Sequence, residues 1–88
     1  MKTVIIAYDI KDEKRRHAIR KLLKKYMLRR QYSVFIGELS QKHINEVKSE
    51  IKKLIDENED SVLIIVILNP AYVEMNEYGV KEEFAFII

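Results

Sequence analysis

An α/β sandwich in the order strand–helix–strand–strand–helix–strand is the fold class this sequence predicts, and three observations point to it. Two apolar runs, Val4-Ile5-Ile6-Ala7 and Val62-Leu63-Ile64-Ile65-Val66-Ile67-Leu68, have no polar alternation and read as central strands buried on both faces. Two stretches between them repeat their apolar residues at helical spacing. A strand–helix–strand unit used twice about one shared sheet gives a ferredoxin-like βαββαβ arrangement. The 88 residues make one domain, with no room for a second core.

The first strand runs through Tyr8 and ends in a carboxylate, Asp9, where a strand emerges from a sheet into solvent. Asp12 then offers an N-cap and Glu13 a negative charge for the first turn of a helix over residues 13–26. Ala18, Ile19, Leu22, Leu23 and Tyr26 form its apolar stripe; Arg16, Arg20, Lys21, Lys24 and Lys25 make the rest of its circumference cationic. From Arg29 to Leu39 the chain is β-like, with Gly37 as a bulge or bend. One long strand or two short ones joined near Ser33 both suit it. Ser40 caps a second helix over residues 41–57, whose stripe is Ile44, Val47, Ile51, Leu54 and Ile55.

A turn at Asn58-Glu59-Asp60-Ser61 leads into the second apolar run, which Asn69-Pro70 ends because proline has no amide for the ladder. Residues 71–80 are polar and irregular, and Phe84-Ala85-Phe86-Ile87-Ile88 reads as an additional C-terminal strand. The expectation for residues 69–88 is an arm and strand docked on the sheet edge of a partner protomer. Phe84 and Phe86, with Phe35, are the expected dimer contacts.

The net charge of +2 hides an asymmetry: residues 1–44 hold 12 Lys/Arg against 4 Asp/Glu, and residues 45–88 hold 4 against 10. Nine cations fall between Lys14 and Arg30, and no acid occurs from Lys14 to Gly37. A field of one sign attracts polyanions, so the basic helix, Arg16 and Arg20 included, is expected to bind nucleic acid through its phosphates. The absence of cysteine excludes disulfides and thiolate metal sites. Neither a signal peptide nor an apolar run of membrane-spanning length is present, so a soluble cytoplasmic protein is the expectation.

Asp9 is the leading catalytic candidate: Mg²⁺ keeps several waters and needs only one or two carboxylates, and it could activate water against a phosphodiester. An Asx-turn or helix cap is the plain structural alternative for the same residue. Tyr8, Arg16, Arg29 and Arg30 could hold phosphates or stack on bases. His17 and His43 lack metal-ligand spacing, Ser33 has no arguable triad, and two glycines, Gly37 and Gly79, make no phosphate loop.

The segments Val4-Ile5-Ile6-Ala7-Tyr8-Asp9-Ile10, Lys14-Arg15-Arg16 and Gln31-Tyr32-Ser33-Val34-Phe35-Ile36-Gly37-Glu38-Leu39-Ser40 together resemble the CRISPR-associated protein 2 family. The likeness continues through Leu54 to Val62 and covers nearly residues 1–68. It implies a ferredoxin-like homodimer of the spacer-acquisition module that bridges dimers of the integrase subunit and binds double-stranded DNA. It also implies a metal-dependent endonuclease acting on RNA, single-stranded RNA included, or on DNA, with the strand-end aspartate of each protomer at the dimer interface. By motif position that aspartate is Asp9, Tyr8 is its neighbour, and the basic helix positions are Arg15 and Arg16. The Arg29-Arg30-Gln31 spacing is one residue tighter than the family pattern, so both arginines stay candidates. Met27 stands where the family often has a glycine. A non-catalytic DNA-binding scaffold with a structural Asp9 is the alternative function.

Overall fold

The structure, a computed structural model, describes residues 1–79. Its elements are β1 (Lys2–Asp9), α1 (Glu13–Lys24), β2 (Leu28–Gln31), β3 (Val34–Leu39), α2 (Gln41–Leu54) and β4 (Ser61–Ile67), followed by a short 3₁₀ turn, Pro70–Tyr72. The strands form one sheet in the order β2-β3-β1-β4, and every neighbouring pair is antiparallel. With both helices on one face, this is the expected ferredoxin-like sandwich. No helix among the described residues is long and apolar enough to cross a membrane.

Both expected caps form. The Asp12 carboxylate accepts from the Arg15 amide at 2.9 Å, and the Ser40 hydroxyl accepts from the His43 amide at 3.2 Å. Both helices stop short of their expected ends. After Lys24 the amides of Tyr26 and Met27 both reach the Leu23 carbonyl, which turns Met27 into the core. Ile55 is already extended, at φ −92° and ψ 160°, and packs against the core from the loop.

The pleat divides β1 into two sets. Val4, Ile6 and Tyr8 face the helices and are buried with Ile19, Leu22, Leu23, Phe35, Leu39, Ile44, Val47 and Ile51. Thr3, Ile5, Ala7 and Asp9 point the other way, and the first three are only half-buried. The two apolar runs are therefore not covered on both faces in the protomer. The second run is also not a central strand: β4 lies at the sheet edge, its Val62, Ile64 and Val66 against the core and its Leu63 and Ile65 58% and 43% exposed.

β2 and β3 are two strands joined by a turn at Tyr32-Ser33, and the register irregularity lies between Arg29 and Gln31, not at Gly37. Gly37 instead pairs regularly with Val4, and a Cβ there would stand 3.0 Å from both Met27 Cγ and the Tyr26 carbonyl oxygen. Phe35, expected at a dimer interface, is fully buried inside the protomer, because its strand position faces the helices. The expected strand Phe84–Ile88, with Phe84 and Phe86, lies outside the described residues.

Candidate functional site

Asp9 closes β1 opposite Ser61 of β4, on the face of the sheet away from the helices. Its side chain is 69% exposed, and Lys11 Nζ lies 3.1 Å from Asp9 Oδ2. Exposure lets the carboxylate reach a cation or a substrate; the Lys11 ammonium is its partner within the protomer. Among the described residues no group of three or more His, Asp or Glu side chains is arranged to hold a metal ion. One protomer thus offers a single carboxylate oxygen donor at this point, a set that suits a cation content to keep most of its waters, as Mg²⁺ is.

The loop after Asp9 is held from two sides. Arg16 donates through Nε and Nη2 to the Ile10 carbonyl at 3.2 and 2.9 Å. Arg15 Nε donates to Asp60 Oδ2 at 2.7 Å, and Nη2 also reaches Glu59 at 3.3 Å. The Asp60 side chain is fully enclosed and accepts two more hydrogen bonds, from the amides of Lys11 and Asp56 at 3.0 and 2.9 Å. The Arg15 guanidinium, with those two amides, holds the Asp60 carboxyl well below the usual carboxylate range, against the opposing effect of burial. The same ion pair pushes Arg15 up. Both arginines that the resemblance placed on the basic helix thus brace the Asp9 loop. Asp60 escaped the sequence reading because its partners lie four, 45 and 49 residues away, and no local spacing announces such a contact.

The other cations separate by face. Arg30 Nη2 pairs with Glu77 Oε1 at 2.5 Å on the open side of the sheet. There residues 74–77 pass over Ile5, Val34 and Ile36 and leave a cleft of about 570 Å³. Arg29 lies on the helix side: its register partner is Phe35, its Nε donates to the Tyr32 carbonyl at 3.0 Å, and its guanidinium stands 4.9 Å from the Tyr32 ring centroid. Tyr8 is on the same side, its ring stacked on Phe35 at 6.3 Å. Its hydroxyl is buried and without a hydrogen-bond partner of sound geometry among the described residues. Burial pushes the Tyr8 phenol up, while Arg20 and Arg29 pull it back. The seven polar candidates therefore fall into three places: Asp9 with its bracing Arg15 and Arg16, Arg30 on the open face, and Tyr8, Arg20 and Arg29 towards the helices.

Residues 1–75 match the family model described as CRISPR associated protein Cas2. A relative named CRISPR-associated endoribonuclease Cas2 from Thermotoga maritima is 41% identical over 85 residues, which cover 96% of this chain and 97% of that protein. One named CRISPR-associated endoribonuclease Cas2 3 from Chloroflexus aurantiacus is 40% identical over 58 residues, 66% of this chain and 62% of the relative. Among solved structures, one described as the crystal structure of cas2 matches with a TM-score of 0.80 and 34% identity, over 93% of this chain and 91% of that one.

Proposed function

Given that the chain belongs to the CRISPR-associated Cas2 family, we propose that it works as a homodimer that binds nucleic acid and cleaves phosphodiester bonds through Asp9 with Mg²⁺. The observation that carries this reading is the face on which Asp9 stands. Asp9 shares the open side of the sheet with Ile5, Ala7, Leu63 and Ile65, an apolar surface that the protomer's own helices do not cover. Two-fold pairing of that surface brings a second Asp9 to the same interface, so a carboxylate pair arises from one carboxylate per chain. A bound Mg²⁺ would supply Lewis-acid polarisation of the phosphate and a more acidic water.

The chain's own residues do the rest. Asp9 holds the cation, Arg15 and Arg16 keep the loop behind it in place, and the cations of α1 and β2 draw the polyanion in. RNA is the favoured substrate of cleavage, since the relatives carry the name endoribonuclease. Double-stranded DNA, held together with an integrase subunit during spacer acquisition, is the ligand that the family resemblance supports.

A second reading is a scaffold that binds duplex DNA without cutting it. The lone, exposed Asp9 carboxylate, already paired with Lys11, favours it. Purified protein incubated with single-stranded RNA and with duplex DNA, each with Mg²⁺ and with EDTA, separates the two. Metal-dependent cleavage supports the nuclease, and salt-sensitive duplex binding without cleavage supports the scaffold.

A further inference from the structure

The Tyr8 side chain takes no part in the chemistry assigned to Asp9, because the pleat turns the two neighbours to opposite sides of the sheet. We propose that Tyr8, Arg20 and Arg29 form a seat for one phosphate group of a bound nucleic acid, on the helix side of the sheet. The inference rests on the nucleic-acid reading above and assigns one contact within it.

The register builds the seat. Ile6 stands opposite Phe35 and Phe35 opposite Arg29, so Tyr8, two residues beyond Ile6, shares a face with Phe35 and Arg29 across three adjacent strands. Arg20 enters from α1, directly after the fully buried Ile19. Arg29 stands on that face from β2, its Nε on the Tyr32 carbonyl and its guanidinium 4.9 Å from the Tyr32 ring centroid. The fields of both arginines reach the phenol.

The Tyr8 hydroxyl is the independent sign of a missing ligand. Among the described residues it is a buried hydroxyl without a well-formed hydrogen bond, a costly state that native structures rarely keep. A phosphate oxygen accepts from a phenol, and two guanidinium planes match the remaining oxygens in charge and geometry. A metal ion would be repelled by the same pair. Arg20 is long and half-buried on α1, and its charge acts on the phenol. In the occupied seat the hydroxyl donates to the ligand and the two guanidinium groups face its charge.

The test measures affinity for short single-stranded RNA and for duplex DNA by fluorescence anisotropy over a range of salt, with the whole chain. Tyr8→Phe keeps the ring stack and removes only the donor. Its expected outcome is binding about tenfold weaker, with an unchanged salt slope and a melting temperature equal to or above that of the parent. Arg20→Gln is expected to weaken binding and to reduce the salt slope by about one phosphate contact. The double variant should lose less than the sum of the two, since both touch one group. Oligonucleotides with and without a 5′-phosphate distinguish a terminal monoester from an internal diester as the occupant. Parent-like affinity in Tyr8→Phe, with the parent still binding in a salt-dependent way, overturns the seat and leaves the nucleic-acid reading standing. A parent protein that binds neither ligand overturns both.

Discussion

One carboxylate, Asp60, joins three segments: the amide of Lys11 after β1, the Arg15 guanidinium on α1 and the amide of Asp56 after α2. Asp60→Asn keeps the shape and loses the charge, so the expected result is a clear fall in melting temperature and a looser Asp9 loop. The pH dependence follows from the direction of the shift. The folded carboxyl sits below its ordinary value of 3.8, so its stabilisation is fully present above that pH and is lost as the pH falls further. Denaturant unfolding should show a constant deficit for Asp60→Asn from pH 7 to about 5, shrinking only below about 4. A deficit that vanished near pH 6 would assign the loss to another group. Asp9 was visible in the sequence as a charge ending an apolar run. Asp60 was one acid among the cluster Asp56-Glu57-Asn58-Glu59-Asp60, and only the fold reveals which member is enclosed.

Among the elements, β3 shows how a glycine can be required without a special backbone angle. Among the described residues only Gly79 has positive φ; Gly37 is an ordinary strand residue whose missing Cβ makes room for Met27 and the Tyr26 carbonyl. Gly37→Ala is expected to destabilise by about 1–3 kcal/mol, as overpacking does, because two of its nearest contacts, the Tyr26 carbonyl oxygen and Met27 Cα, are backbone and cannot step aside. Trimming Met27 to Ala in the same chain should recover little; full recovery would show that the side chain alone sets the fit.

The element order, both caps and both helical stripes were legible in the sequence, since each is a local pattern of period or charge. The place of β4 was not. An apolar run with no alternation says that both faces avoid water, and it does not say whether the second cover comes from the same chain. Phe35 was misplaced for a related reason: its face is fixed by register with Ile6, a contact 29 residues away.

At the scale of the whole molecule, the uncovered face explains the unalternating runs. Val4 and Ile6 are buried by the helices, while on the other face Ile5 and Ala7 are half-buried and Leu63 and Ile65 are exposed, a surface that the proposed dimer would cover. Ile65→Glu places a charge on that face without touching the core side of β4. The expected outcome in sedimentation velocity is a shift from dimer to monomer with the far-UV circular dichroism retained. A variant that stays dimeric at every concentration would move the interface elsewhere.

Asp9, exposed at the end of β1, is the residue proposed to carry metal-dependent cleavage at the two-fold. The most direct measurement compares parent and Asp9→Asn, each purified identically, on single-stranded RNA with Mg²⁺ and with EDTA. The amide keeps the size of the side chain and removes the charge that holds the cation, while the binding residues stay as they were. Cleavage by the parent only with Mg²⁺, none above background in Asp9→Asn, and unchanged melting temperature and RNA affinity are the expected results. Equal Mg²⁺-dependent cleavage by the two proteins would contradict the proposed role of Asp9.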